Sequence, residues 1–374
     1  MKITSVDVFP LDGREDAQGV HGLVRLNTDE GIYGWGSCYT TPSLVKASLE
    51  YLSPLIVGKD PTEVEKLTET LHQETFWFGR GGVLTTFISG INIALWDILG
   101  KATGMSVSRL LGGRHRERMK PYASQLFSWP VDAMVKRLQG AKERGFRAFK
   151  LGWRPFGRSD ARTDEAVVKA AREAIGDDCD LMVDAGGSDA FWHGDLKWAI
   201  NTAKMLKNYN VVWFEEALND MDLEGFKMLR EASPVWIATG ECLRKRQTFY
   251  RWIQERAVDV LQPDLTCCGG ISEGRRIAWL ANDNGILVVC HGWNTAIGVA
   301  ADLQLNASLN QAGWVEFLTP TPYIDEILVE PFKLDAEGYL QIPDKPGLGI
   351  EINVETVKRF AASPDTKLKG REHW

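Results

Sequence analysis

Residues 180–187 read DLMVDAGG and residues 211–217 read VVWFEEA, and each is an apolar run of strand length that includes an acidic residue near its end. Five more apolar stretches of strand length carry a residue that can hold a metal or move a proton: RAFKLG (147–152), PVWIATGE (234–241), VDVLQPDL (258–265), ILVVCHGW (286–293) and WVEFLT (314–319). Longer segments of helical period lie between them. This alternation predicts a parallel sheet, and right-handed crossovers place all strand ends on one face. We therefore expect seven reactive side chains to converge on one mouth: Lys150, Asp184, Glu215, Glu241, Asp264, His291 and Glu316.

The chain divides into three regions. Residues 1–118 open with alternating strands around a DEG turn and continue with segments of helical period, which predicts an α+β module. Residues 119–330 carry the repeated strands and helices, and MKPYASQL (119–126) supplies the eighth strand that a closed barrel needs. Residues 331–374 alternate short apolar strands with Gly and Pro turns. This tail cannot continue the barrel, and we expect it to fold back on the first module.

Length and composition limit the classes of function. The 374 residues carry a net charge of −7, and the pI is about 5.5. Nucleic-acid-binding proteins usually carry a concentrated basic patch, and the densest basic run here, GRHRER (113–118), is interpreted as a solvated linker. No signal-peptide pattern opens the chain and no apolar run approaches membrane-spanning length. We expect a cytoplasmic protein with neither a nucleic-acid nor a membrane partner.

The six cysteines show neither CxxC pairs nor the density of a secreted disulfide scaffold. Cys267 and Cys268 are adjacent and too close for an ordinary disulfide. We expect all six to be reduced and to serve in packing, although Cys242 and Cys290 flank candidate site residues.

Three strand-end residues are carboxylates on successive strands: Asp184, Glu215 and Glu241. A single acid at such a position is more often a surface carboxylate or a helix N-cap. Three of them aimed at one point repel one another unless a cation neutralises them. Because oxygen ligands favour hard ions, the sequence predicts a site for Mg²⁺, ahead of Mn²⁺ or Ca²⁺.

Asp264 and His291 end the next two strands, so their side chains should be neighbours. A carboxylate beside an imidazole fixes its tautomer and raises its basicity, which makes a general base near neutral pH. The alternative is a structural histidine inside the barrel. The placement at a strand end favours the base.

Eight segments carry a family likeness: INIALWDILGK (91–101), FKLG (149–152), VDAGG (183–187), WFEEA (213–217), ATGE (238–241), QPDLTCCGGISE (262–273), CHGWN (290–294) and PGLGIEI (346–352). Together they resemble the enolase superfamily, mandelate racemase subgroup, along nearly the whole chain. The resemblance implies an α/β fold, a modified (β/α)₇β TIM barrel under an N-terminal α+β capping domain. It also implies an essential Mg²⁺ and removal of the proton next to a substrate carboxylate to give a metal-stabilised enediolate.

The same resemblance assigns roles to particular residues. Asp184, Glu215 and Glu241 match the metal ligands, and Glu215 is chosen within WFEEA because the family keeps the first acid and varies the second. Asp264 and His291 match the catalytic dyad. Glu316 matches the acid that hydrogen-bonds the substrate carboxylate or the enediolate, and we expect it to be protonated so that it can donate.

One departure from the family pattern bears on the reaction. Relatives that invert a stereocentre usually carry Lys-x-Lys at the end of the second barrel strand, and the second lysine is a base. Here the residues are Lys150, Leu151 and Gly152. Lys150 stands where a cation holds the substrate carboxylate or a ligand, and glycine replaces the second base. One remaining base favours β-elimination over inversion.

Specificity should reside in polar and aromatic residues near the mouth. The segment after Asp184, GGSDAFWHGDLKWA (186–199), is longer than in the family, and Trp192 and His193 either touch substrate or pack its own loop. In WRPFGR (153–158), Arg154 or Arg158 binds a distal carboxylate or hydroxyls unless both are solvated. The first module offers four further candidates, with core packing as the alternative: Arg14, His21, Tyr39 and Trp77.

These observations predict a Mg²⁺-dependent dehydratase of an aldonate or aldarate that yields a 2-keto-3-deoxy acid, with His291 as base and acid. The alternatives are a racemase or epimerase, in which Lys150 or an arginine supplies a second base, and a catalytically silent protein that binds sugar acids. We expect a small-molecule acid sugar as substrate and a homo-oligomeric assembly.

Overall fold

The computed structural model of the chain describes residues 1–12, 21–188 and 194–362. In these ranges the strands are β1 Ile3–Pro10, β2 His21–Thr28, β3 Tyr33–Tyr39, β4 Arg118–Leu126, β5 Ala148–Gly152, β6 Asp180–Asp184, β7 Val211–Glu215, β8 Trp236–Thr239, β9 Val260–Leu261, β10 Leu287–Val288, β11 Trp314–Leu318 and β12 Leu340–Gln341. The helices are α1 Pro42–Ile56, α2 Val64–Glu74, α3 Val83–Thr103, α4 Val107–Leu110, α5 Asp132–Glu143, α6 Ala161–Ile175, α7 Leu196–Lys207, α8 Leu223–Ala232, α9 Lys245–Gln254, α10 Gly270–Asp283, α11 Ala296–Ser308, α12 Pro322–Asp325 and α13 Val354–Phe360.

The first module is an antiparallel sheet, β1-β2-β3, covered by helix α3. Strand β3 and helix α3 approach very closely, because a side chain at Gly36 would overlap the carbonyl oxygen of Gly90. Helix α3 ends at Gly104, which adopts the left-handed conformation at φ 71°. Contrary to the expectation that no apolar run approaches membrane-spanning length, this helix is long and apolar enough to span a membrane. However, 83% of its most apolar window is buried in the protein, as in a core helix.

Eight parallel strands form the second region in the order β10-β9-β8-β7-β6-β5-β4-β11. Each strand from β4 to β10 lies beside its successor, and β11 returns to pair with β4. Within the described residues the ladder is not hydrogen-bonded between β10 and β11. A helix follows each strand from β4 to β10, so the predicted α/β class and (β/α)₇β architecture are confirmed.

One layer of inward-facing side chains fills the middle of the barrel. It consists of one residue from each of seven strands or their extensions: Tyr122, Ala148, Met182, Trp213, Ala238, Val260 and Val289. Because side chains alternate along a strand, residues two positions further on face the same interior. That next layer contains Ser124, Lys150, Asp184, Glu215, Gly240, Gln262 and His291. The packed layer is therefore the floor of the candidate site.

The strand ends differ from the sequence pattern in two ways. Asp184 and Glu215 are the last residues of β6 and β7, as predicted, whereas Lys150 and Glu316 lie inside β5 and β11. Asp264 and His291 lie three residues beyond β9 and β10, which have only two residues each. Pro263 lies two residues after the end of β9. Because proline has no backbone N–H to donate to a neighbouring strand, it limits the length of β9.

The first module docks on the barrel through α3 and α10. Asn92 and Trp96 of α3 donate hydrogen bonds to the hydroxyl of Ser272, at 2.8 and 3.0 Å. The tail returns to the same module, since the backbone N–H of Leu348 donates to Asp97 at 2.9 Å. Strand β12 also pairs antiparallel with β4. These contacts hold the first module over one side of the barrel.

Candidate active site

A cavity of about 220 Å³ opens at the carboxyl ends of the strands. Its lining combines predicted site residues with others that the sequence did not single out: Tyr39, Ser124, Gln125, Leu126, Lys150, Gly152, Trp153, Asp184, Ser188, Glu241, Cys242, Arg244, Asp264, Cys267, His291 and Trp293. Tyr39 comes from the first module, and the rest come from the barrel. The predicted convergence of strand ends on one mouth therefore corresponds to a real concavity.

Lys150 lies at the centre of the carboxylate cluster. Its Nζ atom is 2.6 Å from Glu215 Oε1, 3.1 Å from Glu316 Oε1 and 3.8 Å from Asp184 Oδ2. Burial lowers the pKa of Lys150, but the surrounding carboxylates, Glu215 first, outweigh burial and raise it well above its usual value. Lys150 therefore stays cationic at neutral pH.

Asp184, Glu215 and Glu241 form a group whose potential ligand atoms all lie within 4.8 Å of one another. Two oxygen ligands on opposite sides of a Mg²⁺ ion, each about 2.1 Å from it, are about 4.2 Å apart. The carboxylate oxygens would therefore have to move only slightly closer together to bind Mg²⁺. Burial, together with the neighbouring carboxylates, raises the pKa of Asp184 well above its usual value and also raises that of Glu241. The donor set thus fits a divalent cation, which would relieve the repulsion among these groups.

A second potential group shares Glu241 and adds Glu216 and Cys242. Glu216 adopts φ 45°, and its Oε2 accepts a hydrogen bond from the hydroxyl of Ser188 at 2.7 Å. Partial desolvation in the cavity wall, together with Glu241 and Glu216, raises the pKa of the Cys242 thiol, so it remains protonated and is a poor ligand. The all-oxygen group is the better site for a hard ion, in agreement with the choice of Glu215 over Glu216.

Asp264 and His291 form a hydrogen-bonded pair, with 2.8 Å between Asp264 Oδ2 and His291 Nδ1. The other oxygen of Asp264 accepts from the backbone N–H and the hydroxyl of Thr266, at 2.7 and 2.6 Å. Burial raises the pKa of Asp264, but the bonds to His291 and Thr266 together lower it below its usual value. An ionised Asp264 fixes the proton on Nδ1 and leaves Nε2 of His291 to exchange protons at the cavity.

The protonation of His291 is coupled to the carboxylate cluster, since its Nε2 lies 3.4 Å from Glu241 Oε2. Burial lowers the pKa of His291, but Glu241, Asp264 and Glu316 outweigh burial and raise it well above its usual value. A cation bound by the carboxylates would offset the charge of Glu241 and so lower the pKa of His291 toward neutral pH.

Glu316 is surrounded by hydrogen-bond donors and by the Lys150 ammonium group. Its Oε1 accepts from Ser124 at 2.6 Å, and its Oε2 accepts from the backbone N–H of Gly292 at 2.7 Å. Burial raises its pKa, but Lys150, His291 and these donors bring it down to about 2. These surroundings favour the ionised form of Glu316, and the expectation of a protonated Glu316 that donates to the substrate stays a prediction. Glu316 is also fully buried behind Lys150 rather than in the cavity wall.

Gly152 lies beside Asp184 in the β5–β6 ladder. A Cβ atom at Gly152 would lie 2.9 Å from both Cβ and Oδ2 of Asp184, which is closer than real Cβ contacts. Glycine at this position therefore leaves room for Asp184. A lysine at this position would have to displace Asp184, so the absence of a second base is linked to the geometry of the carboxylate cluster.

The residues predicted to set specificity are scattered. Tyr39 lines the cavity, and His21 is buried behind it with 5.6 Å between the ring centroids. Burial lowers the pKa of His21 to about 4, so this histidine is neutral. Trp77 lies in a short 3₁₀ turn, is 82% exposed and does not line the cavity, because this turn points into solvent.

The two loop arginines also lie outside the cavity lining. Arg158 donates to the backbone carbonyls of Ala185 and Gly186, and its guanidinium lies over the Trp153 ring at 5.4 Å. It therefore braces the loop after Asp184. Arg154 is exposed on the same loop. Arg14, Trp192 and His193 lie outside the described residues.

Sequence reasoning missed several residues of the cavity wall. Arg244 stands three positions after Glu241, and its signal was the basic run LRKR that follows ATGE. Trp153 directly follows the predicted strand RAFKLG, and Trp293 is the last residue of ILVVCHGW. Ser124 lies two residues after Tyr122, so the alternation of side chains along a strand could have suggested it. Cys242 is the exposed cysteine among the described residues; the other five are buried.

The chain matches two family models over most of its length. Residues 133–357 match "Enolase C-terminal domain-like", and residues 14–112 match "Mandelate racemase / muconate lactonizing enzyme, N-terminal domain". The chain is 36% identical to D-galactarolactone cycloisomerase of Agrobacterium fabrum, covering 96% of this chain and 99% of the relative. It is 32% identical to D-galactonate dehydratase of Variovorax paradoxus, covering 97% and 95%.

A solved structure is also similar. The 3,6-anhydro-D-galactonate cycloisomerase of Zobellia galactanivorans superimposes with a TM-score of 0.86 at 30% identity, covering 97% of this chain and 100% of the other. The chain belongs to the enolase superfamily, mandelate racemase subgroup. Its curated relatives include several dehydratases, which are hydro-lyases, so the prediction of an enzyme of the lyase class is confirmed at the level of the family.

Proposed function

We propose that this enzyme is a Mg²⁺-dependent dehydratase of a sugar acid that forms a 2-keto-3-deoxy acid. The observation that carries the proposal is the arrangement of one dyad and one lysine. His291, oriented by Asp264, is placed to act as a base, whereas Lys150 is held cationic by three carboxylates. Elimination needs only one group that accepts the α-proton and later returns it to the leaving hydroxyl, and a single base suits this reaction.

The carboxylates Asp184, Glu215 and Glu241 would hold the ion. When bound, Mg²⁺ supplies electrostatic stabilisation of the negative charge that develops on the substrate carboxylate. Lys150 contributes a further positive charge at the floor of the cavity, and its contacts with Glu215 and Glu316 fix its position. The packed layer of side chains below, which includes Trp213, keeps water from that side.

His291 performs the proton transfers. Its Nε2 accepts the proton from the carbon next to the substrate carboxylate, and the bond to Asp264 stabilises the resulting imidazolium. The electron pair forms a carbon–carbon double bond as the β-hydroxyl leaves, and the imidazolium returns its proton so that water departs. The enol then tautomerises to the 2-keto acid, and His291 is again neutral.

Inversion at the α-carbon is less well supported. It requires proton chemistry on both faces of the enediolate, and Lys150 is the candidate second base. An ammonium group whose pKa is raised well above its usual value cannot accept a proton at neutral pH. Glycine at position 152 contributes no group either. The binding-protein alternative lacks support for a different reason: the hydrogen-bonded pair of Asp264 and His291 is retained.

Ring opening of a sugar lactone or anhydro sugar acid is a second candidate function. Two of the similar proteins are cycloisomerases, and one of them is 36% identical along nearly the whole chain. The same abstraction by His291 would then expel a ring oxygen instead of a hydroxyl group. The product would have the mass of the substrate, whereas dehydration removes one water.

The experiment is a panel of mono- and diacid sugars, with lactones and anhydro acids added, incubated with the purified chain and Mg²⁺. Keto acids are detected with semicarbazide, and product masses separate dehydration from ring opening. Removal of divalent ions with EDTA should abolish turnover, and added Mg²⁺ should restore it. In D₂O, deuterium in recovered substrate with inverted configuration and no keto acid would contradict elimination.

Cytoplasmic location, a homo-oligomeric assembly and the lack of nucleic-acid or membrane partners stay predictions from the sequence. A sedimentation experiment on the purified chain tests the assembly.

A further inference from the structure

The permanent cations of the cavity wall, within the described part of the chain, are Lys150 and Arg244. Their surroundings differ. Lys150 has three carboxylates within 4.0 Å, so protein groups compensate its charge. Arg244 has no carboxylate of the described residues within that distance. Asp264 and Asp220 act on its charge from beyond ion-pair distance. A partly buried guanidinium without a directly paired carboxylate in a cavity wall is a recognition element for an anionic ligand.

The hydrogen bonds of Arg244 support the same view. Its Nη1 donates to the backbone carbonyls of Glu241 and Leu243, at 2.7 and 3.3 Å. In the described ranges, Nε and Nη2 donate to no protein group. The bonds through Nη1 fix the side chain against its own loop, and one edge of the guanidinium fork is left for a ligand.

Neighbouring basic residues show that this arrangement is particular to Arg244. Arg246, two positions later, forms ion pairs with Glu273 and Glu69. Arg158 donates to the carbonyls of Ala185 and Gly186 and lies outside the cavity wall. Of these three arginines, Arg244 combines a place in the cavity wall with the absence of a directly paired carboxylate in the described part of the chain.

We propose that Arg244 binds the second carboxylate of a dicarboxylate sugar acid, so that the substrate class is the aldarates rather than the aldonates. This inference rests on the proposed function, in which the first carboxylate lies at the cluster with Lys150. A guanidinium edge pairs with a carboxylate through two parallel hydrogen bonds, whereas a terminal hydroxyl offers one oxygen and no charge. Arg244 therefore discriminates between the two classes by charge at the distal end.

The test compares matched pairs that differ only at the distal carbon: galactarate with galactonate, and glucarate with gluconate. The full-length chain with Mg²⁺ is assayed as wild type, Arg244→Gln and Arg244→Lys. Wild type should have the higher kcat/KM for a diacid. Arg244→Gln should lower that value roughly 100-fold, mainly through KM, and change the monoacid value only a few-fold. Arg244→Lys should recover part of the loss.

Arg251→Gln is the matched control, because it removes one positive charge from the exposed face of the adjacent helix α9. It should leave both values unchanged. Equal losses for diacid and monoacid in Arg244→Gln would overturn the inference and assign Arg244 to holding the Glu241 loop. A wild-type preference for monoacids would also overturn it.

Failure of the inference is separable from failure of the dehydratase proposal. Binding of the same acids in the presence of Mg²⁺ is measured by calorimetry as well as by turnover. Tighter binding of diacids that depends on Arg244, without any keto acid, would support the subsite and reject the dehydratase. Keto acid formed from monoacids alone would support the dehydratase proposal and reject the subsite at Arg244.

Discussion

The carboxylate side of the mouth and the dyad side are positioned by different forces. Asp184 and Glu215 end full-length strands and are Cα partners in the β6–β7 ladder. Asp264 and His291 lie beyond two-residue strands, where side-chain hydrogen bonds hold them: Thr266 and His291 both donate to the Asp264 carboxylate. Backbone register thus determines the cluster that fits a cation, and side-chain hydrogen bonds orient the candidate base.

The two sides are nevertheless coupled through Glu241, which belongs to the carboxylate group and lies 3.4 Å from His291. A change on one side should therefore alter the other in a defined direction. Substitutions that keep side-chain size can measure each contribution separately.

The largest effect is expected for His291→Asn. Removal of the base and acid should lower kcat roughly 10⁴-fold, whereas Mg²⁺ affinity should change only a few-fold. Keto acid formation measures the first quantity, and calorimetric titration with Mg²⁺ measures the second. Turnover at the wild-type rate would contradict the role of His291.

Asp184→Asn tests the carboxylate side. The amide keeps an oxygen for the backbone N–H of Gly186 but removes one negative charge from the cluster. Mg²⁺ affinity should fall more than 100-fold, beyond the roughly 10–100-fold loss typical of outer-shell residues. Asp195→Asn is the control, since it makes the same change at the exposed N-cap of α7. Unchanged affinity in Asp184→Asn would reject this residue as a ligand.

Asp264→Asn tests the orientation of the base and its pKa. We expect kcat/KM to fall roughly 100-fold. The Asp264 carboxylate raises the pKa of His291, so its removal lowers that pKa. Activity requires neutral His291 and rises with pH as this group loses its proton. The acidic limb of the pH profile of kcat/KM should therefore move to lower pH, and a limb that stays in place would exclude His291 as the group that titrates.

The smallest effect is expected for Gly152→Ala. The added methyl group would lie 2.9 Å from Asp184 and should shift the Asp184 side chain. Mg²⁺ binding should weaken roughly 10-fold as a result, and saturating Mg²⁺ should restore most of kcat. Gly140→Ala on α5 has open space around the new methyl group and serves as the control. A loss of the same size in both variants would indicate a general effect on stability.

Much of the candidate site was accessible from the sequence because strand period and crossover handedness are local and general rules. These rules predict Asp184, Glu215, Glu241, Asp264 and His291 at one mouth. The length of β9 and β10 was overestimated, since apolar residues in a barrel are buried whether or not their backbone pairs. That error did not move Asp264 or His291 away from the cavity.

Other features depended on contacts between distant segments. The low pKa of Glu316 arises from Lys150, His291, Ser124 and Gly292, which come from three other parts of the chain. Trp and Arg are residue types that often contact substrates. Here Trp77 faces solvent, and Arg158 donates hydrogen bonds to the loop after Asp184. Arg244 was not distinguished from its basic neighbours, because sequence alone does not show which of them has an ion-pair partner.

The sequence by itself determined the fold class, the family and the set of reactive strand-end residues, because these follow from periodicity and short motifs. The tertiary structure decided the charge state of each group and the direction in which each cation points. Those properties arise from burial and from neighbours that are far apart in the chain, and such neighbours are defined only after the barrel has formed.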